Sequence, residues 1–258
     1  STNKEKREKY VKHLYKRLQR EGQLERDVDR LVRNDRIAWG ASMIACNDAD
    51  AMVTGNIRHY AASIEKLKRV TDPRPGEEIF GMTMITLKGK TILVADTNVQ
   101  DFPSPERLVK VSKSCVRVAR LFGFDPKVAF LSHSTFGKPI SKNTKHVRDA
   151  IDLLKKEKVD FDFDGEMQPD VALNPIYQEI YPFSKIVGNA NILIMPALHS
   201  AAISTKLMKV FGGGKLIGPL LIGLGSPIEV APLRASTSEI LNLASIAAYS
   251  SDVIDYSN

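Results

Sequence analysis

The stretch NANILIMPALHSAAISTKLMKVFGGGKLIGPLLI, residues 189–222, decides the fold class. Ile192 to Met195 is a short apolar run that stops at Pro196, the pattern of a central parallel strand. Ser200 is placed to cap a following helix, with Ile203, Leu207, Val210 and Phe211 as its inward face at three- to four-residue spacing. Gly212, Gly213 and Gly214 then end the helix and give the chain backbone angles closed to other residues. Such a strand–turn–helix unit sets backbone donors beside the carboxyl end of a strand, where open α/β folds bind ligands.

Working outward, the 258 residues suffice for two modest α/β domains, and 43% apolar content excludes overall disorder. No apolar run reaches membrane-spanning length without glycine or proline, and the start STNKEKREKYVKHLYKRLQR has no signal-peptide core. Two cysteines, Cys46 and Cys115, cannot cage a metal alone and read as buried thiols, which points to a reducing, cytoplasmic compartment. The net charge is +7, and Ser1 to Arg20 holds eight Lys or Arg against two Glu. No nucleic-acid motif follows, so this segment reads as the solvated face of a helix whose apolar stripe is Tyr10, Leu14 and Leu18.

Upstream, Glu5–Arg20 and Gln23–Val32 have helical spacing. A short strand ending at Gly55 and a helix over His59–Val70 form another strand–turn–helix unit. Thr71–Gly76 (TDPRPG) breaks the chain. Ile79–Thr86 and Lys90–Ala95 read as a hairpin, so a mixed sheet is expected. Ser104-Pro105 starts a helix carrying Leu108, Val111, Cys115, Val118 and Phe122. Val128–Leu131 is a buried strand feeding the polar bend Ser132–Gly137 (SHSTFG). Asn143 is expected to cap a helix with Val147, Ile151 and Leu154 inward. Phe161–Gly165 is a short alternating strand, Ile228–Ala231 the last strand, and Ser236 opens the last helix.

His133 between Ser132 and Ser134 invites a hydrolase reading, but neighbours on extended chain face opposite ways and no Gly-x-Ser-x-Gly elbow is present. Ser132, Ser134 and Thr135 suit hydroxyl donors to a phosphate or thioester, with Gly137 allowing close approach; a self-capped turn is the alternative. Asp162, Asp164 and Glu166 lack a calcium-loop pattern, and His59 and His199 lack a histidine metal motif, so no metal site is assigned. The glycines match neither a P-loop nor a dinucleotide fingerprint. Ser236 and Glu239 have the spacing of a capping box.

Ala95-Asp-Thr, Pro103–Leu108, PKVAFLSHSTFG (126–137), Asp164–Pro175, Tyr181-Pro-Phe-Ser and Ala190–Gly225 occur in order, and together they resemble the phosphate acetyl/butyryl transferase family. Phe136-Gly137 and GGGKLIGPLLI (212–222) look especially like the C-terminal transferase-like region of bacterial NADP-dependent malic enzymes. The resemblance implies a two-domain α/β phosphotransacetylase-like fold, of the isocitrate/isopropylmalate dehydrogenase kind, with an interdomain cleft. It further implies an incomplete discontinuous first domain (1–73 and 225–258), an inserted second (74–224), and a homo-oligomer, at least a dimer.

Active members transfer an acyl group between coenzyme A and phosphate. The resemblance aligns their terminal Ser, Arg and catalytic Asp with Pro232, Leu233 and Glu239, and a cationic position of an earlier helix with Glu65. An apolar side chain and a carboxylate thus stand where phosphate would meet cations. The expectation is a noncatalytic regulatory and oligomerisation domain of a malic enzyme, sensing acetyl-CoA and needing no cofactor of its own. It would be fused to an N-terminal catalytic region that binds malate, NADP and Mg²⁺ or Mn²⁺ and performs oxidative decarboxylation. Neither nucleic acid nor a membrane is an expected partner. Candidate ligand contacts are Ser132, Ser134, Thr135, Gly137, Ser200 and Arg234; Gly212, Gly213, Gly214, Ser236 and Glu239 are structural. The alternative is a working phosphate acetyltransferase in which Arg234 supplies the cation and Glu239 the base.

Overall fold

The structure is a computed structural model that describes residues 2–87, 89–95, 102–139, 144–254 and 256. Its elements are α1 (Thr2–Leu18), α2 (Glu25–Asn34), α3 (Arg36–Ala45), β1 (Met52–Gly55), α4 (Tyr60–Lys68), β2 (Phe80–Leu87) and β3 (Lys90–Ala95). After them come α5 (Pro105–Leu121), β4 (Lys127–Leu131), α6 (Lys145–Glu157), β5 (Asp162–Met167), α7 (Pro169–Leu173) and β6 (Ile192–Ile194). The last are α8 (Leu198–Phe211), β7 (Lys215–Ile222), β8 (Ile228–Ala231) and α9 (Thr237–Val253). Two compact units result, Ser1–Gly76 with Gly223–Asn258, and Glu77–Ile222.

In the first unit β1 and β8 pair in parallel, from Met52↔Ile228 to Gly55↔Ala231, and helices surround them. Tyr10, Leu14 and Leu18 of α1 are fully buried. The basic face of α1 is partly spent on its own unit. Lys9 donates to Cys46 O (2.8 Å) and Asp48 (2.9 Å), Arg17 to Lys68 O and Arg69 O (both 3.0 Å), and Arg17 also pairs with Asp72. Tyr10 donates its phenol proton to Asp48 at 2.6 Å. Burial, and then this bond to Asp48, pushes the Tyr10 hydroxyl well above its ordinary range. The apolar run Trp39–Cys46 contributes most of α3, whose N-cap Asp35 accepts from Ile37 N and Ala38 N.

The second unit is one six-stranded sheet, in the order β5-β4-β6-β3-β2-β7. The four strands β5, β4, β6 and β3 are parallel, and β2 runs antiparallel to both β3 and β7. The mixed sheet follows from the β2–β3 hairpin. Ser104 caps α5 by accepting from Arg107 N, with Pro105 at the first turn. The expected cap Asn143 lies outside the described residues. β6 sits between β4 and β3, and Ile192, Leu193 and Ile194 are all buried.

Two expectations for the stretch 189–222 are corrected. Ser200 does not cap α8. The helix opens at Leu198 with Ala197 as N-cap, and the Ser200 hydroxyl donates back to Ala197 O at 3.1 Å, as serines within a first turn do. The apolar residues assigned inward are also outward: Ile203, Leu207, Val210 and Phe211 are 59, 52, 75 and 83% exposed. The sheet side of α8 is Ala201 and Thr205, with Met208 packed against the core. The side chains turned to the core are small, so periodicity picked out a real apolar face and gave it the wrong side. Gly212 ends the helix, and Gly213 takes a φ of 62° that strains other residues.

Candidate functional site

Each unit brings candidate residues to the carboxyl ends of parallel strands, the ligand-binding edge of α/β sheets. In the second unit the turn Ser132–Gly137 leaves β4 and folds around one carboxylate. Glu166, at the end of β5, is 1% exposed. Its Oε1 accepts from Ser134 Oγ (2.9 Å), Gly137 N (3.0 Å) and Arg148 (3.2 Å), and its backbone O accepts from Phe136 N (2.7 Å). Arg148 of α6 also donates to Thr144 Oγ1 at 2.8 Å. A buried carboxylate is tolerable only with such partners.

The remaining polar groups of the turn are likewise engaged. Ser132 Oγ lies 3.3 Å from Ser134 Oγ, Gln168 N donates to Thr135 Oγ1 at 3.2 Å, and the Gln168 amide donates to His133 O at 2.7 Å. Thr135 and Lys138 exchange backbone bonds of 2.8 and 3.1 Å. The turn is held by its own hydroxyls, with Ser134 fully buried and Ser132 and Thr135 nearly so. His133 is exposed, and among the described residues its imidazole bonds neither serine, so no nucleophile–base pair forms. Ser200 stands beyond the carboxyl end of β6, the neighbour of β4.

In the first unit the rim lies where β1 and β8 end. Asn56 N donates to Ala231 O at 3.2 Å, and Arg234 N donates to Asn56 O at 3.0 Å, tying the two loops together. Gly55 is obligatory here: a Cβ would sit 2.3 Å from Ala231 O, and its φ is 105°. Arg234 is exposed in the left-handed region (φ 58°), with Leu233 beside it, 49% exposed. The basic groups of the adjoining loop and helix are drawn to Asp35. Lys66 pairs with it and Arg58 lies 3.8 Å away, while Glu65 is exposed. Burial works to raise the Asp35 pKa, but Lys66 and the two capping amides outweigh it and hold the carboxyl below its ordinary value.

Glu239 is committed to the backbone. Its carboxylate accepts from Ser236 N at 2.8 Å and Ser236 Oγ at 2.9 Å, while Ser236 Oγ accepts from Glu239 N at 3.3 Å, a complete capping box. Asp162 is exposed, Asp164 accepts from Gly165 N at 2.9 Å, His59 precedes α4 and His199 lies against Phe102. Among the described residues no group of three His, Cys, Asp or Glu is placed to hold a metal ion. At the amino ends of β1 and β8 a cavity of about 1390 Å³ is lined by Lys16, Arg17, Asp50, Thr71, Asp72 and Asp252 among others, and it contains none of the candidate residues. Sequence reasoning considered Glu166 only beside Asp162 and Asp164, for acid–base or metal chemistry, and gave no role to Arg148. The one available signal was an acid at the inner end of a strand, next to apolar Met167.

A mixed α/β sheet, glycine-shaped loops at its carboxyl edge and the order of the motifs define the class. The profile of the phosphate acetyl/butaryl transferase family matches residues 1–248, and the chain belongs to that family. It is 47% identical over 240 residues to an NADP-dependent malic enzyme of Rhizobium meliloti, covering 93% of this chain and 32% of that protein. A probable NADP-dependent malic enzyme of Rickettsia prowazekii is 38% identical over 250 residues, 93% of this chain and 33% of its own length. The chain therefore spans about a third of the length of these malic-enzyme relatives. A phosphotransacetylase structure from Streptococcus pyogenes superposes with a TM-score of 0.87 at 27% identity, over 94% of this chain and 75% of that one.

Proposed function

We propose that this chain is the regulatory and oligomerisation domain of an NADP-dependent malic enzyme, that it does not transfer acyl groups, and that it senses acetyl-CoA. The observation that carries this reading is at the rim of β8. Leu233 occupies the position the family resemblance gives to a phosphate-binding arginine, and Glu239, at the position of the catalytic aspartate, accepts two hydrogen bonds in a capping box. Transfer requires positive charge where oxygen charge develops and a base free to take a proton. An apolar side chain and an engaged carboxylate supply neither.

Oligomerisation is supported by α8, whose outward face carries four exposed apolar side chains in nine residues, Ile203, Leu207, Val210 and Phe211. Such a stripe suits a second copy of the same helix across a two-fold axis. The fused catalytic region, with its malate, NADP and divalent ion, is supported by the length of the malic-enzyme relatives. A cytoplasmic setting is supported by the free thiols Cys46 and Cys115. Among the described residues no helix is long and apolar enough to cross a membrane.

The test is calorimetric titration of the full-length protein with acetyl-CoA, paired with an assay of acetyl phosphate and CoA. Saturable binding without formation of acetyl-CoA and phosphate is expected. Absence of binding removes the sensing role, and steady transfer removes the noncatalytic one. One observation favours the second reading, a working acetyltransferase: Arg234 is exposed on the same rim. In that case Arg234→Ala abolishes the transfer.

A further inference from the structure

The bend after β4 presents one residue against its intrinsic preference. Phe136 has a φ of 47°, a conformation uncommon for a bulky side chain. It is held there because its own N–H donates to Glu166 O at 2.7 Å and the next N–H donates to Glu166 Oε1 at 3.0 Å. The ring it projects meets two others from the segment before β6. Phe136 stands 4.8 Å from Phe183 at 69° and 5.2 Å from Tyr181 at 56°, and Tyr181 and Phe183 are 6.1 Å apart at 80°. Phe136 and Tyr181 pack on the core below, whereas Phe183 is 67% exposed. The outer ring is thus braced edge-to-face by two inner ones and left uncovered.

Its surroundings are basic as well as aromatic. Lys138 follows Phe136 by two residues, Lys185 follows Phe183 by two, and both are exposed. The acids around it are Glu166, which is buried and held by the turn, Glu179, which is exposed, and Asp170, which accepts from the Tyr177 hydroxyl at 2.9 Å. A fixed π-face with an exposed lysine two residues beyond each of two of its rings matches a ligand that is planar at one end and phosphorylated beside it. We infer that Phe136, Tyr181 and Phe183 form a shelf for the purine ring of an adenine nucleotide, with Lys138 and Lys185 meeting its phosphates. This deepens the acetyl-CoA reading, on which it rests, by naming where the nucleotide half of the effector docks.

Phe183 is the side chain to change, because its exposure leaves little packing to lose. In the full-length protein, Phe183→Ala is expected to weaken acetyl-CoA binding about tenfold, and Phe183→Trp to preserve it. Adenosine 3′,5′-bisphosphate, used alone as a probe, should give saturation-transfer signals at its ring protons with the native protein and lose them with Phe183→Ala. An acetyl-CoA affinity that stays within twofold in Phe183→Ala overturns the shelf. So does a change of oligomeric mass in that variant without loss of nucleotide binding, which would make the ring a protein contact. If the native protein binds no acetyl-CoA yet holds the bisphosphate through Phe183, the shelf stands and the acetyl-CoA reading fails. If it binds neither, both fail.

Discussion

The turn around Glu166 and the rim around Arg234 occupy equivalent places, each at the carboxyl ends of parallel strands, yet they use charge in opposite ways. At the turn a carboxylate is buried and the chain folds its donors onto it: a serine hydroxyl, a backbone amide and an arginine. At the rim the charges are absorbed by helix starts, Glu239 by α9 and Lys66 by the buried carboxylate that caps α3. Polar residues at a ligand edge can thus serve the fold as well as a ligand. A buried network persists because breaking it unfolds something, whereas a surface cation can be lost at little structural cost.

The strongest way to break that comparison is Glu166→Ala. It takes the acceptor from the buried Ser134 hydroxyl and the Gly137 amide, while Arg148 keeps its bond to Thr144 and its access to solvent, and unsatisfied donors of this kind cost about 3 kcal/mol together. Urea unfolding of the variant should show a loss of that size; a loss under about 1 kcal/mol would mean that Glu166 is incidental to the turn. Next in size is Gly55→Ala at the rim. The added methyl would meet Ala231 O and force alanine to a φ of 105°, at a cost of about 2–3 kcal/mol from strain and displacement of β8. If instead the midpoint hardly moves, the close pairing of Gly55 with Ala231 is not required for the rim to form.

The contrast also explains which parts were legible in the sequence. Features built from near neighbours are visible: Ser236 and Glu239 are three apart, Ser104 precedes Pro105, and Lys90–Ala95 follows Phe80–Leu87 closely enough to force a hairpin. The family motifs and the α/β class were readable for the same reason. Glu166 and its partners are separated by 32, 29 and 18 residues, and nothing local distinguishes such an acid from a solvated one. The orientation of α8 failed for a different reason. Periodicity detects an apolar stripe but cannot say whether the sheet or a partner covers it, and here the sheet took Ala201 and Thr205.

Asp35→Ala probes the rim's electrostatics with a smaller effect. The Asp35 carboxyl is below its ordinary value in the folded chain, so it contributes stability above the unfolded value of 3.8 and loses it as pH falls through the lower folded value. The variant should lose about 1–2 kcal/mol at neutral pH, chiefly the N-cap, and the gap to the native protein should shrink in acid. A gap independent of pH would assign the loss to packing alone.

Ser236→Ala is the mildest change and bears most directly on function. It removes the hydroxyl that accepts from Glu239 N and donates to the Glu239 carboxylate, a loss of about 1 kcal/mol in helix capping. The carboxylate keeps its bond from Ser236 N, since that amide survives the substitution. If Glu239 serves only the helix, stability falls slightly and acetyl phosphate turnover stays at background. If Glu239 is a base restrained by its cap, loosening the cap should raise turnover even as stability drops. Opposite movements of the two measurements would sink the structural assignment, and a small fall in stability with no turnover would hold the rim to the role its geometry gives it.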